Sequence, residues 1–212
     1  MLQRQVQGST LIDNYGKFET VAALLDQSPR SLKLETLFST RNSGWTNPAA
    51  FHTACDHKGP TLTLIQHQNG IGYGGYTSIS WSPNGQWQTD TKAFLFQIAN
   101  FTKKKKKQAS QKFARKGNGM DIYAQSSYGP TFGAGHELMA FNSSAEILTS
   151  SPSTYSTSGP LIPNTVSRDQ HLCHMEVLLV SKDASGSAEE LEAPWQTDCS
   201  WSVQVNDAFQ AL

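Results

Sequence analysis

The sequence predicts a mainly β fold with a few short helices, in the α+β class, and three observations predict it. Short segments rich in β-branched and aromatic residues recur at close spacing along the chain. Turn-forming Gly, Asn and Pro residues separate these segments, and few stretches have the apolar spacing of a helix. The 212 residues are enough for one domain with a sizeable core. An antiparallel sheet structure is therefore expected.

The first elements are two helices with an ambiguous segment between them. Residues 18–27 place apolar side chains at helical spacing and end before a Ser-Pro pair. Residues 32–38 are compatible with a strand or a short helix. The second helix, within residues 46–55, begins with Asn47, a capping residue type, and Pro48, whose fixed φ suits the first helical position.

The middle of the chain predicts strands joined by tight turns. Residues 61–65 alternate between polar and apolar side chains, and Asn69-Gly70 is a strong signal for a hairpin turn. Residues 71–81 follow as a strand rich in Gly and Tyr. After a second turn, the apolar residues 93–98 predict a buried strand.

The second half of the chain contains three further predicted β segments. These are residues 120–124, 136–141 and 171–180, and the last is the most apolar. Residues 129–135 form a Gly-rich stretch between the first two. Residues 142–168 are rich in Ser, Thr and Pro, which predicts a long loop.

The zero net charge conceals two regions of opposite sign. Of 17 basic and 17 acidic residues, eight basic ones and no acidic one lie in residues 103–116. The remainder of the chain therefore has nine basic against 17 acidic residues, a net charge of −8. Residues 173–212 contain one basic and seven acidic side chains. The sequence thus predicts a mildly acidic body with one basic loop.

The lysine run in the basic loop has several interpretations. Its members are Lys103, Lys104, Lys105, Lys106 and Lys107. A solvated loop is the first interpretation, and contact with an acidic protein surface, an anionic lipid or RNA is the alternative. No aromatic residue interleaves the lysines, so base stacking has little support and a nucleic-acid partner is disfavoured.

Several motif-like patterns lack the context that their chemistry requires. Residues 70–75 match G-x-G-x-x-G, but a strand-like segment follows where a nucleotide loop needs a helix. His136-Glu137 begins like a zinc-protease helix, yet Ala140 stands where the second histidine is needed. Ser126 and Ser127 precede His136 by nine or ten residues without a nucleophile-elbow motif, and they are interpreted as residues that hold a turn.

Two groups of histidine and cysteine are candidates for a metal. They are His52, Cys55 and His57, and His171, Cys173 and His174. Neither has the C-x-x-C pairing of a structural zinc site. Alternation along a strand would also send Cys173 and His174 to opposite faces. The sequence therefore predicts no metal and no cofactor.

The location follows from three further observations. No apolar run approaches the ~18 residues of a membrane-spanning helix, and the first ten residues lack the apolar core of a secretory signal. The three cysteines are odd in number and too few for a disulfide framework. We expect a cytoplasmic protein, with attachment to the periphery of a membrane or another large complex left open.

Several segments, in order and with appropriate spacing, resemble the TLDc domain. They are residues 51–65 (FHTACDHKGPTLTLI), 74–78 (GGYTS) with Trp81, 90–96 (DTKAFLF) and 126–138 (SSYGPTFGAGHEL). Residues 171–180 are similar to the closing strand of that family. The helix at residues 18–27 and the tail around Pro194 and Trp195 also resemble the interferon-induced TLDc–GTPase family, although the sequence has no P-loop.

The resemblance implies a two-sheet antiparallel β-sandwich flanked by short helices, without established catalytic machinery. It divides the chain into an N-terminal extension with one helix (residues 1–31), the TLDc domain (32–180) and an acidic C-terminal tail (181–212). Residues 103–119 are a basic insertion loop and residues 142–168 a Ser/Thr/Pro-rich loop within the domain. Members of the family are associated with resistance to oxidative stress and with binding and regulating the vacuolar proton-pumping ATPase.

The sequence therefore predicts a non-catalytic interaction module that binds or regulates a large assembly such as that ATPase. A structural or scaffolding subunit of another large complex is one alternative, and an enzyme using the Cys55 thiol or the His136/Glu137 pair is the competing class. The candidate contact residues are the five lysines Lys103 to Lys107 with Ser126, Ser127, Tyr128, His136 and Glu137. The predicted turn glycines are Gly74, Gly75, Gly129, Gly133 and Gly135.

Overall fold

Two β-sheets and four short helices make up the part of the chain that the computed structural model describes. The described residues are 2–43, 47–102, 109–142, 149–150, 152–162 and 172–182. The helices are α1 (Leu2–Gln5), α2 (Tyr15–Leu24), α3 (Thr40–Ser43) and α4 (Pro48–Cys55). The strands are β1 (Val6–Gln7), β2 (Leu32–Ser39), β3 (Thr61–His67), β4 (Gly72–Thr77), β5 (Gln86–Gln88), β6 (Phe94–Ile98), β7 (Ser110–Ala114), β8 (Ile122–Ala124), β9 (Thr131–Phe132), β10 (Leu138–Met139) and β11 (Leu172–Lys182).

The strands form a large and a small sheet. The large sheet has the order β1-β2-β11-β3-β4-β6-β7, and the small sheet has the order β10-β9-β8-β5. Apart from the parallel pair β1–β2, neighbouring strands run antiparallel. The predicted mainly β, two-sheet arrangement with short helices is thus confirmed.

Both faces of the large sheet are buried. Successive side chains of each strand point to opposite faces, so the strands contribute to two separate cores. One face packs on α2, and its core residues are Leu62, Leu64, Phe94, Phe96, Phe18, Val21 and Ala22. The other face packs on the small sheet and α4, and its core residues are Ile65, Tyr73, Leu95, Ile122, Phe132, Leu138 and Phe51. The layers are therefore α2, the large sheet, and the small sheet with α4.

Local sequence signals place several element boundaries. The Asn47 side chain accepts a hydrogen bond from the Ala50 N–H at 2.9 Å, and Pro48 opens α4, as the sequence predicts. The β3–β4 hairpin turns at Gly70, whose φ of 82° favours glycine. Helix α2 begins three residues before the predicted segment, because Asn14 caps it by accepting from the Lys17 N–H at 3.1 Å.

Two of the predicted turn glycines lie inside a strand instead. Gly74 and Gly75 belong to β4, so the prediction that they form a turn is wrong. A Cβ at position 74 would stand 1.9 Å from the Thr63 carbonyl oxygen, and one at position 75 would stand 2.7 Å from the Phe132 ring. These glycines permit the close approach of a neighbouring strand and of the small sheet.

Part of the predicted basic insertion loop is a strand. Ser110–Ala114 forms β7 and pairs with β6 at the end of the large sheet, so the prediction of a loop is wrong there. Phe113 faces the core while its neighbours face outward, and this single apolar side chain fixes the register. The run of five lysines, residues 143–148, 151 and 163–168 of the Ser/Thr/Pro-rich loop, and the tail from residue 183 lie outside the described residues.

Candidate functional site

The small sheet carries a cluster of half-buried aromatic side chains, which we call the aromatic patch. It consists of Trp87, Tyr123, Tyr128 and His136. The ring centroids of Trp87 and Tyr123 lie 4.6 Å apart, and those of Tyr128 and His136 lie 5.3 Å apart. The patch thus combines two predicted contact residues with two that the sequence analysis missed.

Strand register brings the first two rings together. Trp87 of β5 pairs directly with Tyr123 of β8. In β8, Ile122 and Ala124 point into the core between the sheets, so Tyr123 points away from it. The order Ile-Tyr-Ala in β8 is consistent with an outward tyrosine, but three residues are too few for this alternation to be recognised in the sequence.

The third ring stands on a turn that α4 supports. The Tyr128 N–H donates to the Gln125 carbonyl at 2.9 Å and closes the turn that carries Ser126 and Ser127. From α4, Nε2 of His52 lies 2.9 Å from the Gln125 carbonyl oxygen and 3.1 Å from that of Tyr128. Nδ1 of His52 lies 2.9 Å from the Asp56 carboxylate. Nε2 of this buried histidine therefore ties the turn to α4, while Nδ1 is held by Asp56 at the end of the same helix.

The fourth ring stands on a turn with left-handed backbone. His136 has a φ of 63°, and Gly133 and Gly135, which precede it on the same turn, have φ values of 77° and 76°. The His136 N–H donates to the Gly133 carbonyl at 3.0 Å. Gly129 serves a different purpose, because a Cβ there would stand 2.4 Å from the Phe141 ring. The Gly-rich stretch therefore allows both the tight turn and the close packing beneath the patch.

Glu137 lies below the surface and supports the patch from beneath. Its side chain is 1% exposed. The carboxylate accepts hydrogen bonds from the backbone N–H groups of Ser153 and Tyr155, each at 2.9 Å, and from that of Thr154. It thereby ties residues 153–155 to the turn that carries His136.

The patch presents little charge at neutral pH. Burial lowers the pKa of His136 below its ordinary value near 6.5, so the ring is neutral at pH 7. Within the described residues, its ring nitrogens make no hydrogen bond, and its contacts are with the aromatic rings. The patch is therefore a neutral aromatic surface with polar atoms at its tips.

The residues of the competing enzyme hypotheses do not assemble a reactive group in the described part of the chain. Cys55 is 0% exposed, and burial together with the nearby Asp56 charge raises its pKa. A reactive thiol needs the opposite shift. The Ser126 and Ser127 hydroxyls make no hydrogen bond to His136 there, and the Glu137 carboxylate is turned towards residues 153–155.

Two of the candidate metal-ligating histidines are engaged with other partners. His52 is bound as described above, and Nε2 of His174 lies 3.0 Å from the Glu176 carboxylate while Nδ1 lies 3.2 Å from the Thr40 hydroxyl. Across the described residues, no three His, Cys, Asp or Glu side chains converge as a metal site would require. His171 and the side chain of Cys173 lie outside the description.

The sequence analysis also missed a buried carboxylate on β11. Glu176 is 1% exposed and accepts hydrogen bonds from the Ser9 hydroxyl at 2.5 Å and the Thr10 N–H at 2.8 Å. Burial alone would raise the pKa of Glu176, but hydrogen bonds from His174, Ser9 and Thr10 outweigh it and lower the pKa. Glu176 therefore fastens residues 9 and 10 to the large sheet.

Among the described helices, none combines the length and apolar content needed to cross a bilayer. The sequence model of the TLDc domain matches residues 6–177 of the chain.

The chain is also similar to the protein named MTOR-associated protein MEAK7 in several vertebrates. It is 33% identical over 100 residues to the Mus musculus protein, a match that covers 42% of this chain and 21% of that relative. The Danio rerio protein is 36% identical over 62 residues, covering 29% of this chain and 14% of the relative. For the Xenopus laevis protein, the identity is 34% over 70 residues, with coverage of 32% and 14%. The chain thus spans about a fifth or less of the length of these relatives.

Proposed function

The chain belongs to the TLDc domain family, and we propose that it is a non-catalytic module that binds a large protein assembly through the aromatic patch. The observation that carries the proposal is the neutral cluster of Trp87, Tyr123, Tyr128 and His136, which is half-exposed on the small sheet. Tyrosine and tryptophan are enriched among the residues that dominate binding energy at protein interfaces.

The supports under the patch favour binding with little loss of conformational entropy. His52 and Asp56 hold one turn, and Glu137 holds the other through three backbone N–H groups. Side chains that are ordered before binding lose less freedom when a partner arrives. A rigid aromatic surface of this kind suits recognition of a folded protein face.

The partner that we propose first is the vacuolar proton-pumping ATPase, with a role in resistance to oxidative stress. This proposal comes from the family resemblance of residues 51–65 and 126–138. An mTOR-containing assembly is the second candidate, because the relatives carry the name MTOR-associated protein. A structural role in another large complex would use the same patch, and the lysines at 103–107 would add contacts to an acidic surface or an anionic lipid.

Binding to each purified assembly tests the proposal. We expect the full chain to bind the ATPase, and Trp87→Ala to weaken binding by about tenfold or more. Tyr15→Ala is the matched control, because Tyr15 is 43% exposed on α2 and lies outside the patch; its affinity should be unchanged. Equal losses in the two variants would refute the patch as the binding surface. Binding to the mTOR-containing assembly alone would replace the first partner by the second.

A further inference from the structure

A groove with basic rims lies on the side of the large sheet that faces α2. Two cavities of about 480 and 160 Å³ share Gln27, Tyr76 and Lys182 in their walls and therefore adjoin. We call them together the basic groove. The larger cavity runs from the end of α2 across β4 and β6 to β7.

The groove is lined by more cations than carboxylates. Lys92, Lys112, Arg115 and Lys182 line it, against the single carboxylate of Asp26. Lys112 pairs with Asp26 at 2.7 Å, and Arg115 pairs with the buried Asp121 at 2.7 Å. Lys92 and Lys182 have no ion-pair partner among the described residues, and both are exposed. The groove can therefore accept further negative charge.

The floor of the groove is aromatic. The rings of Tyr76 and Phe94 lie 5.2 Å apart at an interplanar angle of 30°. The Lys112 ammonium stands 4.3 Å from the centroid of the Phe94 ring. An occupant that combines carboxylates with aromatic side chains would match both the rims and the floor.

One segment of this chain has that composition and starts at the groove. Residues 183–212 contain six acidic and no basic side chains, together with Trp195, Trp201 and Phe209. They follow directly after Lys182, which lines both cavities. Thirty residues reach about 100 Å when extended, which is far more than a groove of this size needs. Because the segment is attached to the groove by a flexible chain, its effective concentration there is near the millimolar range.

We propose that residues 183–212 dock in the basic groove of their own chain, with carboxylates at Lys92, Lys112 and Lys182 and an aromatic ring against the half-buried Tyr76. An acidic partner would then have to displace this segment before it could use the groove. The aromatic patch lies on the other side of the large sheet. Docking of this segment and partner binding through the patch can therefore be tested independently.

Zero-length carbodiimide cross-linking of the full chain tests the contact. Amide bonds from Lys92 or Lys112 to Glu189, Glu190 or Glu192 are expected in the monomeric fraction. Their yield should fall by about fivefold or more from low salt to ~0.5 M salt, because the Debye length shortens to a few ångströms. Absence of these links from the monomer refutes the proposal. Links found only between two chains refute it as well, and would make a second copy the occupant.

Competition by a labelled peptide of residues 183–212 gives a second readout. In the full chain, the groove is already occupied, so the peptide should bind weakly. The variant that combines Glu189→Gln, Glu190→Gln and Glu192→Gln should bind it about tenfold more tightly, because the tethered competitor is weakened. Adding Lys92→Gln and Lys182→Gln to this triple variant should abolish the gain in affinity. Adding Arg41→Gln instead should retain the gain, because Arg41 is exposed on α3 and lies outside both cavities. Equal peptide affinity in the full chain and the triple Gln variant would overturn the proposal.

Discussion

The aromatic patch and the basic groove lie on opposite sides of the large sheet and hold their side chains by different means. Beneath the patch, two buried side chains make several hydrogen bonds: His52 bridges α4 and a turn, and Glu137 accepts from three backbone N–H groups. Around the groove, Lys92 and Lys182 are exposed and Lys112 pairs at the surface with Asp26, whereas Arg115 pairs with the buried Asp121. The side chains of the patch are therefore positioned by buried hydrogen bonds, whereas the groove is defined mainly by charges near the surface.

The largest expected effect comes from removing the Glu137 carboxylate, which supports the patch and not the groove. Glu137→Ala would leave the buried N–H groups of Thr154 and Tyr155, and the partly exposed N–H of Ser153, without an acceptor. Each buried group left unpaired costs about 1–3 kcal/mol. We expect the free energy of unfolding to fall by about 4 kcal/mol, measured by urea denaturation. Glu35→Ala, at an exposed site on β2, is the control and should change it by less than ~0.5 kcal/mol. A small effect at Glu137 would mean that residues 153–155 are held by other contacts.

The second-largest effect comes from removing the His52 side chain, which supports only the turn that carries Tyr128. His52→Ala removes the contacts to Asp56, Gln125 and Tyr128, and we expect a loss of about 2 kcal/mol in the free energy of unfolding. Hydrogen exchange should then rise at residues 125–128 and stay unchanged at the groove strands β6 and β7. Lys58→Ala, at an exposed site just after α4, should leave both unchanged. Faster exchange at β6 and β7 would show that the two regions are coupled.

Lowering the pH should have a smaller effect, and this effect should arise at the patch through protonation of His136. Burial lowers the pKa of His136, so the folded protein binds this proton less readily than the unfolded chain does. The stability contributed by the neutral ring is therefore present above pH ~6.5 and is lost as the pH falls below it. Partner binding through the patch should weaken by about fivefold between pH 7 and 5. His136→Gln should remove this dependence, and a variant that kept it would exclude His136 as its source.

The smallest effect concerns the surface ion pair of the groove. Asp26 is 79% exposed, so Asp26→Asn should change the free energy of unfolding by less than ~0.5 kcal/mol. Because the substitution frees Lys112, cross-linking of Lys112 to residues 183–212 should rise by roughly twofold at low salt. Glu19→Gln, on α2 outside the cavities, serves as the control. A fall in the yield would mean that Asp26 positions Lys112 for its contact.

The sequence predicted those parts of the fold that local chemistry determines. Asn47-Pro48 marked the start of α4, and Asn69-Gly70 marked the hairpin, because capping and turn residues act on their own neighbours. The family resemblance added the two-sheet arrangement. Strand β7 was missed because its polar residues gain their strand conformation from pairing with β6, which lies on the far side of the lysine run.

The candidate site was predicted in part for the same reason. Tyr128 and His136 were found because they lie within the recognisable segment 126–138. Trp87 was missed because its partner Tyr123 lies 36 positions further along the chain, and two strands of three residues carry almost no periodic signal. The support of Glu137 was also invisible, since its partners lie in a Ser/Thr-rich stretch without a regular pattern.

The position of β11 has a consequence for the order in which the protein can fold during synthesis. This strand lies between β2 and β3, which do not pair with each other, and it is the last described strand to leave the ribosome. Until residues 172–182 emerge, the large sheet exists only as two separate halves whose inner edges lack a partner. Long-range pairing of this kind slows folding and leaves edges open to other chains. A nascent chain that stalls before residue 172 therefore exposes both edges at once, and we expect it to need chaperones.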